Sequence, residues 1–175
     1  GGADNIALKF NPSIIYHNGL LEKQVFADFD VRSIGLDKSI NFDDDLLVQA
    51  IVPFDDGGGF SGVDVENSVL IMISYDNFKI LFASRCVDDS EFRVYNSNLV
   101  ADVWKVAHHG ACEGSSLLFI KRIIPLTAVV SSDSDACDEV KKRFGVSGVD
   151  LYNTKDGHVV VSTDGQTYSA WRVKK

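Results

Sequence analysis

Two adjacent histidines followed by a glycine, His108-His109-Gly110, are the residues of this sequence that most need a chemical explanation. They lie just beyond the end of the stretch 103–106, which predicts a strand. A strand end is rigid and the loop after it faces solvent, so an imidazole placed there can reach a metal ion or a substrate. The ordinary alternative is a pair in which a backbone carbonyl satisfies one of the rings.

Other polar residues are weaker candidates for chemistry. His17 and His158 lie beside predicted turns, and we interpret both as surface histidines without a function. The acidic run 43–45 lacks the alternating ligand spacing and the distal Glu of a calcium loop, so a solvated turn explains it better. Ser115 and Ser116 are explained by a helix N-cap, because a serine nucleophile would also need a base and an oxyanion hole.

The elements that must position these residues alternate between strand and helix. The strongest β signal predicts a hairpin from strands 69–75 and 78–83, and segment 55–62 predicts an exposed loop. The remaining elements are predicted from apolar spacing and turn residues. They are a helix at 3–10, strands at 13–16, 31–34, 46–52, 101–106 and 127–131, helices at 115–124 and 135–144, and closing strands at 149–153, 157–163 and 168–173. This order predicts a mixed α/β layered sandwich, with one domain covering 1–175.

Composition excludes several classes of protein. The chain has 175 residues and a net charge of −8, which disfavours binding to a nucleic acid. The sequence has neither an apolar run of about 20 residues nor a secretory signal, so no membrane segment is expected. The cysteines, Cys86, Cys112 and Cys137, are odd in number and widely spaced. We therefore expect free thiols in a reducing compartment, which favours the cytoplasm.

The surroundings of the histidine pair resemble the metallo-β-lactamase-fold domain of ComEC-type competence proteins. In that family an Asn-Ser pair opens a hairpin, the second strand ends in Thr-Gly-Asp, and a later strand leads into Leu-Lys-Val-x-His-His-Gly-Ser. Here Asn67 and Ser68 precede the predicted hairpin, and residues 104–110 match the later block. The resemblance continues through 128–132 and 149–157 and reaches back to residues 1–3. It covers nearly the whole chain and is weakest over 17–60.

This resemblance implies a four-layer αβ/βα sandwich with a two-metal site, holding Zn²⁺ or Mn²⁺, along one edge. The implied chemistry is hydrolysis, often of a phosphodiester bond, and for ComEC-type proteins a nuclease role on incoming DNA is the usual proposal. Two cations held by imidazoles and a bridging carboxylate lower the pKa of bound water and contact both the attacking and the leaving oxygen.

The sequence departs from the family pattern at most of the metal ligands. The bridging carboxylate of Thr-Gly-Asp falls on Arg85, a permanent cation that would repel the metal ions. The His-x-His-x-Asp-His segment is absent, so we expect a domain incomplete at its N-terminus. His108 remains as a metal-ligand position, with His109 beside it. Asp88 is a poor replacement for the carboxylate, because a shift of three residues moves a side chain by several Å.

Three hypotheses follow. The chain is a metal-dependent hydrolase whose missing ligands come from elsewhere, an inactive scaffold that binds a partner or an anion in the degenerate cleft, or a fragment whose function lies in other parts. A hydrolytic zinc site needs at least three protein ligands, so we assign no catalytic residue and expect no bound metal. Arg85 either fills the former metal cavity or binds an anion. Unpaired sheet edges would favour a dimer.

Overall fold

A computed structural model of the chain describes residues 3–17, 26, 28–33, 39–41, 45–51, 69–87, 89–94 and 97–174. In these ranges the helices are α1 (Ala3–Phe10), α2 (Asp89–Arg93), α3 (Leu117–Ile123) and α4 (Asp138–Val146). The first strands are β1 (Ile15–His17), β2 (Val31–Ser33), β3 (Ser39–Asn41), β4 (Leu46–Ile51), β5 (Leu70–Tyr75) and β6 (Phe78–Ala83). The later strands are β7 (Val103–Lys105), β8 (Thr127–Val130), β9 (Asp150–Asn153), β10 (His158–Thr163) and β11 (Tyr168–Val173).

Seven of the described strands form one sheet in the order β3-β4-β5-β6-β7-β8-β9. The pairs from β3 to β6 are antiparallel, and the pairs from β6 to β9 are parallel. Parallel neighbours need a crossover connection, and helices α2, α3 and α4 lie in the three crossovers. The carboxyl ends of β6, β7, β8 and β9 therefore lie along the same edge of the sheet.

The core lies between α3, α4 and one face of this sheet. Alternation along the strands and the observed register place Leu81, Trp104 and Ala128 side by side on that face, each fully buried. The Trp104 ring packs against Phe119 of α3 and Phe144 of α4, with ring centroids 5.5 and 5.3 Å away. Removing an aromatic ring from such a core costs roughly 3–5 kcal/mol, so this contact fixes both helices on the sheet.

The opposite face of the sheet is covered in part by the antiparallel hairpin of β10 and β11. Tyr168 of this hairpin contacts the Phe78 ring at 5.4 Å, and its hydroxyl lies 3.0 Å from Thr127 Oγ1. The Tyr152 hydroxyl donates a hydrogen bond to the Ala170 carbonyl at 3.1 Å. The closing strands predicted from the sequence thus form a second layer over β8 and β9.

The predicted hairpin of β5 and β6 and the later strand-helix alternation agree with the structure. Two short elements were not predicted, β3 and α2, which have three and five residues. The predicted loop at 55–62 lies outside the described residues. None of the helices in the ranges given above has the length and apolar character needed to cross a membrane.

Candidate functional site

The loops that follow β6, β7, β8 and β9 meet at the carboxyl edge of the sheet, where the sequence predicted a site. The backbone N–H of His108, after β7, donates to the Ser84 carbonyl, after β6, at 2.9 Å. The backbone N–H of Ser132, after β8, donates to Thr154 Oγ1, after β9, at 3.0 Å, and Thr154 Oγ1 donates back to the Ser132 carbonyl at 3.0 Å. These bonds join the four loops in two pairs.

The histidine pair lies in a short 3-10 turn, Ala107–Gly110, with an unusual backbone. His108 has φ 44° and ψ 41°, and His109 has φ 55° and ψ 22°, so both are left-handed. Gly110 continues with φ 79°, and a Cβ there would lie 2.8 Å from Ala136 Cβ. Left-handed conformations cost non-glycine residues about 1–2 kcal/mol each and persist only where the surroundings determine them. Such strain is typical of functional sites.

The ring of His108 is half-buried, and its Nδ1 is shielded from solvent. Nδ1 lies 3.4 Å from Glu113 Oε1, which is ion-pair range, but the two atoms do not form a hydrogen bond. Within the described ranges this nitrogen has no hydrogen-bond partner. A buried polar atom left in this way costs roughly 1–3 kcal/mol and calls for a ligand or a functional explanation. His108 therefore offers one nitrogen that suits a bound cation.

His109 is exposed and has a different environment. Its Nδ1 lies 2.5 Å from the Ser131 carbonyl, so Nδ1 carries the proton and donates. The other ring nitrogen, Nε2, then has the lone pair that accepts a hydrogen bond or coordinates a metal. The sequence analysis gave, as the ordinary alternative, a backbone carbonyl that satisfies one ring of the pair, and His109 has such a bond. Nδ1 of His108 has no such partner among the described residues.

A cleft of about 730 Å³ opens beside His109 at this edge. The residues that line it are polar or charged in type, and they come from the loops after β7, β8 and β9 and from the start of β10. The lining residues are His109, Ser131, Ser132, Asp133, Thr154 and His158. His158 was interpreted as a surface histidine without a function. It is exposed, but it lines the cleft, because the turn after β9 returns the chain to this edge.

Arg85 directly follows Ser84, whose carbonyl accepts from the His108 N–H, so the Arg85 backbone lies beside the His108 turn. Its side chain is exposed. No residue in the described ranges makes an ion pair or a hydrogen bond with this guanidinium, so its charge is not neutralised by them. The other residues singled out in the sequence, Asn67, Ser68 and Asp88, lie outside the described residues.

The described residues do not fit a two-metal centre. His108 and His109 contribute imidazoles, and Glu113 Oε1 lies 3.4 Å from His108 Nδ1. In the described ranges, however, neither histidine belongs to a group of three His, Cys, Asp or Glu ligand atoms that all lie within 4.8 Å of one another. A hydrolytic zinc ion needs at least three protein ligands and an open position. The unpaired Nδ1 of His108 suits one coordination bond, but the set of donors around it is too small.

The loop after the histidine turn, residues 111–116, is held by α4 and by a disulfide. Arg143 Nη1 donates to the carbonyls of Gly114 at 2.7 Å and Cys112 at 3.2 Å. Cys112 and Cys137 form a disulfide, and the Cys137 N–H donates to the Gly110 carbonyl at 2.9 Å. The predicted free thiols at these two positions are therefore wrong. Residues 25 apart in sequence meet because this loop passes the start of α4.

Cys86 remains a free thiol, as the sequence predicted, and it is fully buried. Burial, with a smaller contribution from the negative charge of Glu91, raises the pKa of the Cys86 thiol far above its usual range. The thiolate is the reactive form of cysteine, so Cys86 is inert and has a packing role.

Glu91 of α2 is a residue that the sequence analysis missed. Its side chain is 4% exposed, and its carboxylate accepts hydrogen bonds from the N–H groups of Ser115 at 2.5 Å and Ser116 at 3.2 Å. Ser116 Oγ accepts from the Phe119 N–H, which confirms the predicted N-cap of α3. A charged residue in a short polar stretch gave no periodic signal, so its burial was not readable from the sequence.

Solved structures with a similar fold identify the fold type of this chain. The chain is similar to Igni18, a metallo hydrolase from Ignicoccus hospitalis, with a TM-score of 0.57 and 10% identity over 99% of this chain and 75% of that one. It is also similar to YhfI, a metallo-β-lactamase-fold protein from Bacillus subtilis, with a TM-score of 0.52 and 11% identity over 89% and 68% of the two chains. No protein-family model matches the sequence. No curated protein matches it either. The chain has an α/β fold of the metallo-β-lactamase type.

Proposed function

We propose that this chain is a hydrolase-like domain in which the two-metal chemistry of its fold is lost, and that it acts as a binding module through the cleft at the carboxyl edge. The observation that carries the proposal is the small ligand set around His108. By the resemblance to ComEC-type proteins, Arg85 would stand where that family has the carboxylate that bridges two cations. Its guanidinium has no ion-pair partner among the residues that the structure describes. Without bound metals, the carboxyl edge of the sheet still has a preformed cleft lined by polar residues.

The hydrogen bonds of this cleft support a binding role. Ser132 and Thr154 hold each other through two reciprocal bonds, so the wall is ordered before a ligand arrives. A preorganised wall loses little conformational entropy on binding. His109 adds a ring whose orientation is fixed by its bond to the Ser131 carbonyl. These groups suit a small polar molecule that accepts and donates hydrogen bonds.

The charges near the cleft argue against a nucleic acid ligand. Asp133 lines the cleft and would repel a phosphate backbone. Lys155, the nearest lysine in sequence, forms an ion pair of 2.6 Å with Asp135. The net charge of −8 adds a repulsive field over the whole molecule. We therefore expect no change in the anisotropy of a labelled single-stranded oligonucleotide at low salt. Saturable binding would contradict this part of the proposal.

The second candidate function is a phosphodiesterase of the ComEC type that uses one or two metal ions. The left-handed His108-His109 turn favours it, because backbone strain of this kind is typical of sites that position a reacting group. Its further ligands would have to come from residues beyond those described or from other parts of a longer protein.

Metal content and hydrolysis separate the two candidates. The oxidised protein is reconstituted with Zn²⁺ or Mn²⁺, desalted, analysed for bound metal, and assayed on bis(4-nitrophenyl) phosphate beside the matched variant His108→Ala. We expect less than one metal ion per chain and equal, background hydrolysis by the two proteins. Two ions per chain, with hydrolysis that the variant loses, would overturn the binding-module proposal and establish the phosphodiesterase.

A further inference from the structure

A second group of potential metal ligands lies on the far side of the histidine loop, at the start of α4. Cys112, Cys137 and Glu139 each place a ligand atom within 4.8 Å of the other two. Glu139 Oε2 lies 2.8 Å from Cys137 Sγ and 3.8 Å from Cys112 Sγ. Cys112 and Glu139 are exposed and Cys137 is half-buried, so both a reductant and a metal ion can reach the cluster.

We propose that this cluster is a redox-gated metal site, which binds Zn²⁺ through two thiolates and the Glu139 carboxylate when the Cys112–Cys137 disulfide is reduced. Thiolates select Zn²⁺ over hard cations such as Mg²⁺ and Ca²⁺. Three protein ligands leave the fourth tetrahedral position for water, and the exposure of the cluster makes that position accessible. The site is separate from the cleft and does not depend on the function proposed for it.

The change from disulfide to metal site requires little movement. With Zn–S bonds of about 2.3 Å and tetrahedral angles, the two sulfurs must move from bonding distance to about 3.8 Å apart. Rotation of the exposed Cys112 side chain can supply most of this separation. The backbone stays in place, because Arg143 still holds the Cys112 and Gly114 carbonyls and Cys137 N–H still donates to Gly110.

The electrons and protons of the exchange balance. A dithiol reductant gives two electrons and two protons to the disulfide, becomes a cyclic disulfide itself, and leaves two thiols on the chain. Binding of Zn²⁺ then displaces both thiol protons to solvent. Two thiolates and one carboxylate carry three negative charges, which the cation reduces to one. The N-terminus of α4, a nine-residue helix, adds a partial positive charge beside Cys137.

The metal ion would replace one cross-link by another between the same two segments. Glu113, which lies 3.4 Å from His108 Nδ1, is the neighbour of Cys112. Either cross-link therefore keeps Glu113 near the histidine turn, whereas the reduced, metal-free chain has neither. The cluster thus keeps this edge of the protein ordered under both oxidising and reducing conditions.

Titration of the full chain with Co²⁺ and Zn²⁺ tests the proposal. After reduction with a phosphine and removal of bound metal, we expect one equivalent of Co²⁺ to bind with the charge-transfer absorption of thiolate ligation, and Zn²⁺ to displace it. The oxidised protein should give no such absorption. Binding without thiolate absorption, or equal binding by the oxidised protein, would overturn the proposal.

Variants assign the ligands. Loss of outer-shell partners alone weakens metal sites by 10- to 100-fold, so Glu139→Gln should weaken Zn²⁺ binding at least about tenfold while keeping both thiols. Cys112→Ser should also lose most of the thiolate absorption. Cys86→Ala is the matched control, which removes the buried thiol and should bind as the native chain does. Should Cys112→Ser fold poorly, Glu139→Gln still decides, because native affinity in that variant would contradict the carboxylate ligand.

Discussion

At the scale of single residues, the histidine turn shows how much local strain this fold maintains. His108 and His109 are consecutive residues with a left-handed backbone. The sequence does not reveal this conformation, because Gly110 is the only residue of the three whose type favours a positive φ. Two backbone bonds hold the turn, from His108 N–H to the Ser84 carbonyl and from Cys137 N–H to the Gly110 carbonyl. The residue types that carry the candidate chemistry were readable from the sequence, whereas the conformation that presents them was not.

Arg85 gives the first prediction at this scale. Replacing it by aspartate removes a cation beside the His108 turn and adds a carboxylate where the family pattern has a metal ligand. We expect Arg85→Asp to raise the affinity for Zn²⁺ in the oxidised protein by about tenfold or more, equivalent to roughly 1.4 kcal/mol. Isothermal titration measures the change. Arg85→Gln is the matched control, which removes the charge without adding a ligand and should gain less. Equal affinities of all three proteins would contradict the assigned position of Arg85.

Cys86 gives a second prediction, on pH. Burial raises the pKa of this thiol in the folded chain, whereas the unfolded thiol has a pKa of about 8.5. Above that value the unfolded chain loses a proton that the folded chain keeps, so the stabilising effect of Cys86 is complete below pH 8 and decreases as the pH rises. The slope is about 1.4 kcal/mol per pH unit.

The measurement compares the native chain with Cys86→Ala by urea unfolding between pH 7 and pH 10. Other groups titrate equally in both proteins, so their difference in unfolding free energy isolates the thiol. We expect that difference to be constant up to about pH 8 and then to change in favour of the alanine variant. A difference that stays flat up to pH 10 would show that the thiol ionises as easily in the folded chain as in the unfolded one.

At the scale of elements, runs of strand-forming apolar residues next to turn residues were the reliable signal. They predicted β5 and β6 almost to the residue, and Ser116 correctly marked the start of α3. Elements shorter than one full period, β3 and α2, gave no signal of this kind, because three to five residues cannot establish a spacing. The disulfide was missed for a different reason. Pairing of distant cysteines depends on the path of the chain, and spacing alone does not determine it.

A glycine pair provides the prediction at the element scale. In Gly110→Ala the new Cβ would lie 2.8 Å from Ala136 Cβ and 3.2 Å from Val130 Cγ1, in a residue with a φ of 79°. Overpacking and the left-handed backbone together should cost about 2–4 kcal/mol of unfolding free energy. Gly145→Ala is the matched control within α4, where a Cβ has no heavy atom within 4 Å and alanine favours the helix by about 0.5 kcal/mol.

Urea unfolding monitored by circular dichroism measures both variants. We expect opposite signs, with Gly110→Ala less stable and Gly145→Ala slightly more stable than the native chain. A neutral Gly110→Ala would mean that the turn and the Ala136 segment relax together, and it would remove the argument that Gly110 fixes the histidine turn in one conformation.

At the scale of the whole molecule, the central sheet has two differently built faces. One is a dry aromatic core, in which Trp104 contacts both Phe119 and Phe144. The β10–β11 hairpin covers part of the other face, through an aromatic ring contact and hydrogen bonds of hydroxyl groups. The sequence predicted a layered sandwich, but it could not show which segment covers which face of the sheet, because that depends on the crossovers.

The hydroxyl pair between Thr127 and Tyr168 tests how firmly the hairpin is joined to the sheet. Thr127 is 4% exposed, and its Oγ1 lies 3.0 Å from the Tyr168 hydroxyl. Burial raises the pKa of Tyr168, so the phenol is neutral and hydrogen-bonded across the physiological range. Either Tyr168→Phe or Thr127→Val alone leaves a partner hydroxyl without this bond and should cost roughly 1–2 kcal/mol of unfolding free energy.

The double variant removes both hydroxyls together, and its cost should be smaller than the sum of the two single costs by about 1 kcal/mol. Urea unfolding of the four proteins measures this coupling. As a matched control, Thr127→Val combined with Gly145→Ala should be additive within about 0.5 kcal/mol, because α4 packs on the opposite face of the sheet. Additivity in the Thr127 and Tyr168 cycle as well would mean that Tyr168 joins the hairpin to the sheet through its ring contact with Phe78 and not through its hydroxyl group.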